Sequence, residues 1–479
     1  MDPRIPASTF ISRMPRKAWH PGAWRLAAVL ASGLLGCGGG GSDPVPPSAP
    51  QGSRGEVLPA SSIVADVSRQ AIDAQTALDP SLVNDTAKGG VQLVSLRYTT
   101  VDPQGNLVTA GAGLLIPDEA ALPGPHPLLS HQHGTSVDRT FDTASAAPDS
   151  LAASMAALYA SHGYVVVMPN YLGYAGSSVD WHAYLQARPS GEVVVDALRA
   201  ARNWLKANHP ATHLSGDVYL SGTSQGGYVT LATQQLIEAS YASEFHLQAV
   251  APTSGPYDLE STFVGFLSQP DDPQAPKTTA AAFSLYGFQR SYGDVYPSSA
   301  TQVFNTPWAG NFVVGSGVAP FLPGPYPGEP ALRSHCILPT NVWSDGGPQV
   351  GSCSATPLLQ AGFRTDFLAA TAGTPGGEAR RHTHDNSLVR ATGSQTWTPM
   401  APLTVLYGSL DPMATPNAQT VAARLAGARA VDVQTDTATT PLYVQAWMQA
   451  NAHQPDYHGG VEAPGCTSYT RNVLFPIPH

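Results

Sequence analysis

The stretch Val218-Tyr219-Leu220-Ser221-Gly222-Thr223-Ser224-Gln225-Gly226-Gly227 sets a short apolar strand directly against the start of a helix, with Ser224 at the junction. Glycines two places before and after the serine remove side chains where a sharp strand-to-helix turn brings backbones close together. The following residues Val229, Ala232, Leu236 and Ile237 fall on one helical face, as packing on a sheet requires. Working outward, the apolar runs at 127–130, 164–168, 247–251 and 402–407 read as buried strands. They alternate with helical patterns at about 150–161, 191–208 and 224–240. In the second of these, Val194, Ala197, Leu198, Ala201 and Leu205 make one face. Upstream, residues 91–98 and 107–116 alternate in polarity around the turn Asp102-Pro103-Gln104-Gly105 and predict an antiparallel hairpin. Short apolar strands alternating with helices imply an α/β architecture: a mostly parallel central sheet covered by helices on both faces.

A serine hydroxyl is a poor nucleophile at neutral pH, so Ser224 needs a base, and the base needs a carboxylate to orient it. Other motifs stand in order around the serine: His131-Gln132-His133-Gly134-Thr135 after an early strand, then Pro169-Asn170-Tyr171-Leu172-Gly173-Tyr174, then His182-Ala183-Tyr184-Leu185. With Gly222-Thr223-Ser224-Gln225-Gly226, these segments resemble the α/β-hydrolase superfamily, and within it bacterial secretory lipases and carboxylesterases, over roughly residues 90–255 and 400–470. The resemblance implies an α/β-hydrolase fold and cofactor-free hydrolysis of small carboxylic esters, with nucleophile, acid and histidine in that chain order. Asp411 follows the strand at 402–407 and is the expected acid, with Asp258 as rival. His458, in Tyr457-His458-Gly459-Gly460, is the expected base, carried on a glycine-rich loop, while His453 is expected at the surface. The backbone N–H of Gln225 is expected to serve as one oxyanion donor. The second is expected from Thr135, with Gly134 as alternative, and His131 and His133 are expected to brace that loop.

Residues 256–396 break the rhythm and read as a cap or lid insertion between a first core part, 61–255, and a second, 397–479. The insertion carries Phe263, Phe266, Phe283, Tyr286, Phe288, Tyr292, Tyr296, Phe304, Trp308, Phe312, Phe321 and Tyr326 among many prolines. It is expected to be irregular and to roof the serine with an apolar pocket. A serine peptidase of the prolyl-oligopeptidase kind shares the fold and the residue order, but usually brings a larger extra domain. A binding protein that kept only the fold would normally have lost the serine or the histidine.

Residues 1–36 read as a lipoprotein signal peptide: Arg4, Arg13, Arg16, Lys17 and Arg25 precede the apolar run 26–35, which ends at Leu34-Leu35-Gly36-Cys37. That ending resembles a lipobox, and Cys37 is expected to be acylated and followed by a Gly/Pro-rich tether to residue 60. The chain carries net charge −10; loss of residues 1–36 removes five basic residues and one acid and leaves −14. With no basic and aromatic cluster, nucleic acid is an unexpected partner, and oligomeric state is not legible. In an exported, oxidising setting Cys336 and Cys353 are expected to pair, which would contribute about 3 kcal/mol. One of the three remaining cysteines must stay unpaired, and Cys466 is the one left over. The pairs His131/His133 and His382/His384 lack companions at zinc spacing, so no metal site is expected. Two acyl chains hold a bilayer where one does not. Cys37→Ser should therefore move the protein from the membrane to the soluble fraction; a variant that still sediments with membranes at high salt would contradict the anchor.

Overall fold

The computed structural model describes residues 53–75, 80–83, 85–136, 139–268, 276–306, 308–312, 358–394, 397–454 and 456–478. The expected signal peptide, Cys37, and the Cys336–Cys353 pair lie outside them. The described residues form a nine-stranded sheet. Its strands are β1 (Ser62–Val67), β2 (Val91–Val101), β3 (Leu107–Pro117), β4 (His126–Gln132), β5 (Val165–Pro169), β6 (Leu214–Thr223), β7 (His246–Thr253), β8 (Thr404–Tyr407) and β9 (Arg429–Asp432). The order across the sheet is β1-β2-β3-β5-β4-β6-β7-β8-β9. The first three strands and the β3–β5 contact are antiparallel, and every pairing from β5 through β4 to β9 is parallel.

The two-residue period of a strand puts neighbours on opposite faces, and here both faces are covered. Leu128, Val165, Val167, Val218, Leu220 and Val250 belong to one buried cluster, which also holds the inner faces of the helices Ala187–Asn208 and Gln225–Leu236. Leu129, Val166, Met168, Tyr219 and Ala251 belong to a second, with the helix Leu151–Leu158 and Phe475. The hairpin forms as expected, with Val91 opposite Pro117 and Val101 opposite Leu107, and the turn closes through Gly105 N–H to Asp102 O, 2.9 Å. Among the described residues no helix is long and apolar enough to cross a membrane.

Three departures from the sequence reading have local causes. The helix expected from Gly191 begins at Ala187, because Pro189 sits in the first turn, where its missing N–H has no partner to lose. The edge strands β1 and β9 escaped notice: β1 is largely exposed and β9 has four residues, so neither shows a buried apolar run. Between β7 and β8 the described residues are chiefly helical, over Leu259–Ser268, Pro276–Tyr292, Ala361–Ala369 and Pro375–Asp385. Pro276 and Pro375 open helices there, and Thr374 caps the last by accepting from Gly377 N–H. Of the aromatics expected to roof the serine, Phe263, Phe283, Phe288, Phe304 and Phe312 are buried, with Phe304 stacked on Phe312 at 3.7 Å between centroids, Tyr292 is exposed, and Phe321 and Tyr326 lie outside the described residues.

The junction between β6 and its helix is the tightest point in the sheet. A Cβ on Gly226 would lie 2.0 Å from the carbonyl oxygen of Gln132, and one on Gly227 would lie 2.2 Å from that of Thr253. Both obstacles are backbone at the ends of β4 and β7, which cannot swing aside. Gly227→Ala should cost about 1–3 kcal/mol of stability through overpacking; an unchanged denaturant midpoint would show that the strand ends yield.

Candidate active site

Ser224 occupies a strained turn, with φ 60° and ψ −119°, between the end of β6 and the helix starting at Gln225. Such a conformation costs on the order of 1–3 kcal/mol in a non-glycine residue. It is held by Ser224 N–H donating to Thr253 O at the end of β7, 2.9 Å, and by the helical bond from Tyr228 N–H to Ser224 O, 3.1 Å. The neighbouring strand continues the scaffold, since Ser254 N–H donates to Leu406 O of β8, 2.9 Å. Nucleophile candidate and acid candidate thus leave the carboxyl ends of parallel strands in one sheet.

The turn after β8 carries Asp411, which is buried. Its Oδ1 accepts from Met413 N–H at 2.7 Å and Ala414 N–H at 2.9 Å, holding the start of the helix Ala414–Arg424. Its Oδ2 accepts from His458 Nδ1. One carboxylate therefore fixes its own turn with one oxygen and orients an imidazole with the other. Asp258 does otherwise: its side chain accepts from Ser261 N–H, Ser261 Oγ and Ala391 N–H, at 3.0, 2.8 and 2.8 Å, and acts as a helix cap. His453 is exposed.

His458 is not on a loop. It opens a π-helical turn, His458–Glu462, that runs into the helix Ala463–Tyr469. The glycines after it are accommodated because Asp456 accepts from both Gly459 N–H, 3.1 Å through its side chain, and Gly460 N–H, 2.8 Å through its carbonyl. That turn brings in a residue the sequence reading missed. Glu462 is fully buried, accepts from Gly408 N–H through Oε1, and places Oε2 3.2 Å from His458 Nδ1. The four-residue spacing between His458 and Glu462 was the available signal, hidden because Gly459-Gly460 reads as a loop.

Burial opposes charge on all three groups, and their mutual bonds decide the outcome. The hydrogen bond and charge of His458 hold Asp411 well below the usual carboxylate range against the pull of burial. Burial lowers His458, but the bond to Asp411 and the charge of Glu462 beside it outweigh it and raise the ring above its ordinary value. Burial, with the charge of Asp411, pushes Glu462 up to about 7 despite its contact with His458. Ligand atoms of Asp411, His458 and Glu462 lie within 4.8 Å of one another, close enough to hold a cation. A cation would have to replace the Nδ1 proton that already satisfies Asp411, so the donor set suits a proton better than a metal. The opposite ring atom, Nε2, is buried and has no hydrogen-bond partner among the described residues, and no bond joins it to the Ser224 hydroxyl. Such bonds commonly tighten only once substrate is bound.

The end of β4 and the loop at 133–136 lie against the serine, since a Cβ on Gly134 would sit 3.7 Å from that of Ser224. Four side chains from the other motifs pin it. Tyr171 donates to His133 O at 2.9 Å, Tyr174 to Ser136 O at 2.6 Å, and Tyr184 shares a bond with Thr135 Oγ1 at 2.8 Å. His131 meets Ser221 Oγ at 2.9 Å. The side-chain amide of Gln225 donates to His182 Nε2, and the same ring donates through Nδ1 to Leu172 O at 2.9 Å. Burial lowers His131 and His133 to about 4 and His182 to about 3, so all three are neutral braces. The insertion reaches this layer too, because Phe283 packs on Tyr184 with ring centroids 5.0 Å apart.

A family model described as the prolyl oligopeptidase family matches residues 150–246, the part that contains the Ser224 turn. The rice cell wall degrading esterase LipA from Xanthomonas oryzae is similar at 30% identity, over 88% of this chain and 99% of that one, with a TM-score of 0.67. Candida antarctica lipase A shares the fold at 18% identity, over 79% of this chain and 76% of that one, with a TM-score of 0.51. With the sheet order, the serine turn and this likeness together, the chain belongs to the α/β-hydrolase superfamily, in the family of the LipA esterase, and is a serine hydrolase.

Proposed function

We propose that this hydrolase cleaves small carboxylic esters through Ser224, His458 and Asp411. The observation that carries the reading is the Asp411–His458 pair, built on the turn after β8 in the same sheet whose β6 ends in the strained Ser224 turn. His458 Nε2 takes the hydroxyl proton as Ser224 Oγ attacks the ester carbonyl. The tetrahedral oxyanion is met by the N–H of Gln225 and that of Thr135, or Gly134 beside it. Each such donor lowers the barrier by roughly 3 kcal/mol. The imidazolium then protonates the leaving alcohol, leaving an acyl-enzyme that water, activated by the same ring, hydrolyses to the acid. Asp411 keeps Nδ1 protonated and balances the imidazolium charge throughout. No cofactor enters this scheme. The likeness to LipA, a rice cell wall degrading esterase, supports esters as the substrate class.

The proposal extends to the chain's setting: export, acylation at Cys37, and a body held beside a membrane by a tether shorter than the expected one to residue 60, because Arg54 pairs with Asp196 and Leu58 N–H donates to Arg97 O of β2, 2.7 Å. In it, residues 256–396 form a cap whose helices bear on the oxyanion loop through Phe283 and Tyr184.

Ser224→Ala should lower kcat on a p-nitrophenyl ester by roughly 10⁴-fold or more while leaving the fold unchanged. Asp411→Asn should cost about 10³- to 10⁴-fold, because the ring loses its oriented tautomer. Near-normal rates in either variant would sink the assignment, as would turnover of a peptide anilide well above that of the ester, which would favour a peptidase.

A further inference from the structure

Glu462 has no part in the reaction as drawn, yet it is fully buried against Nδ1, the nitrogen through which the base is oriented. An isolated buried carboxylate is costly, and the usual outcome is that it pairs or takes a proton. Here its two oxygens have different tasks. Oε1 accepts from Gly408 N–H, at the exit of β8, three residues before Asp411. Oε2 stands 3.2 Å from His458 Nδ1, on the same edge of the ring that Asp411 Oδ2 occupies. Glu462 thus ties the acid-bearing turn to the histidine-bearing helix. A Cβ on Gly408 would come 2.2 Å from the Tyr457 hydroxyl, so this crossing point is tightly filled.

We propose that Glu462 is a positioning residue for His458: it shares the Nδ1 edge with Asp411 and sets the pH at which the ring becomes a base. This rests on the assignment of His458 as that base.

The groups facing Glu462 are Asp411 from the turn after β8, Tyr257 from the segment after β7, and His458, Tyr457 and Cys466 from its own helical segment, with Asp432 of β9 acting on the latter two. Burial raises Tyr257, Tyr457 and Cys466, which therefore stay neutral, so the exchangeable protons near neutrality belong to Glu462 and His458. The two titrate as a coupled set. With Glu462 protonated, Asp411 alone favours the imidazolium; with Glu462 ionised, a second negative charge favours it further. Removing that charge makes the ring easier to deprotonate, so the acid limb of the rate profile must move to lower pH.

The test uses the full chain. Glu462→Gln keeps an acceptor for Gly408 N–H and the side-chain size but abolishes the ionisation. The acid limb of kcat/KM on a p-nitrophenyl ester should fall by about one pH unit, a gain of roughly tenfold at pH values below the limb, with KM unchanged. An unmoved limb, whether rates are unchanged or reduced equally at every pH, would overturn the proposal and leave Glu462 a structural residue. Should that variant fail to fold, the wild-type protein with labelled histidine decides: the His458 ring resonances should titrate in two steps, and a single step would overturn the proposal. Ser224→Ala in the same assay separates the two ideas, since loss of hydrolysis there with no shift in Glu462→Gln removes only the role of Glu462.

Discussion

The geometry of this protein depends on one backbone constraint, the left-handed conformation of Ser224 between β6 and its helix. It persists because three strand ends converge on it. Thr253 of β7 accepts its N–H, Gln132 at the end of β4 presses on Gly226, and Gln132 and the Gly226 carbonyl close on Gly222. The strain is small beside the apolar surface buried on both faces of the sheet, so the fold can hold it. It lifts the serine out of the ladder and into the layer of loops at the carboxyl ends of the strands, and every other part of the candidate site is arranged around that point.

Around it the histidines divide by environment. His131, His133 and His182 are buried, the last two among aromatic rings; all three lose their charge to burial and serve as neutral hydrogen-bonding braces. His458 is half-buried and bordered by two carboxylates, and its basicity rises. The same side chain is thereby a strut in one place and a proton acceptor in the other, and the difference lies in what borders its ring. The aromatic residues of the Pro169–Tyr174 and His182–Tyr184 segments share this logic, since their hydroxyls reach the loop at 133–136 and hold its backbone beside the serine.

Much of this was legible in the sequence because it rests on local chemistry. The glycines around Ser224, the alternating hairpin from Val91 to Pro117, and an Asp placed after a buried strand each carry their reason within a few residues. What escaped depends on distant partners. Glu462 looked like any acidic residue near the C-terminus until a π-helical turn, stabilised by Asp456, set it beside His458 and Gly408. The aromatics of residues 256–396 suggested an apolar pocket roof, but the helices Leu259–Ser268 and Pro276–Tyr292 turn Phe263, Phe283 and Phe288 inward. Composition reports that such residues will be buried and is silent on whether a neighbour or a ligand covers them. Strand β9, four residues long and opening on Arg429, owes its place to pairing with β8 and shows no pattern of its own.

The claim at the centre of this account is that Ser224 is the reacting nucleophile. Treating the protein with a fluorophosphonate and mapping the adduct by peptide mass spectrometry tests it most directly. The account predicts one stoichiometric phosphonyl group on Ser224, with labelling suppressed in Asp411→Asn, where the ring that takes its proton is no longer oriented. An adduct on any other residue, or none on a protein that hydrolyses esters, would contradict it.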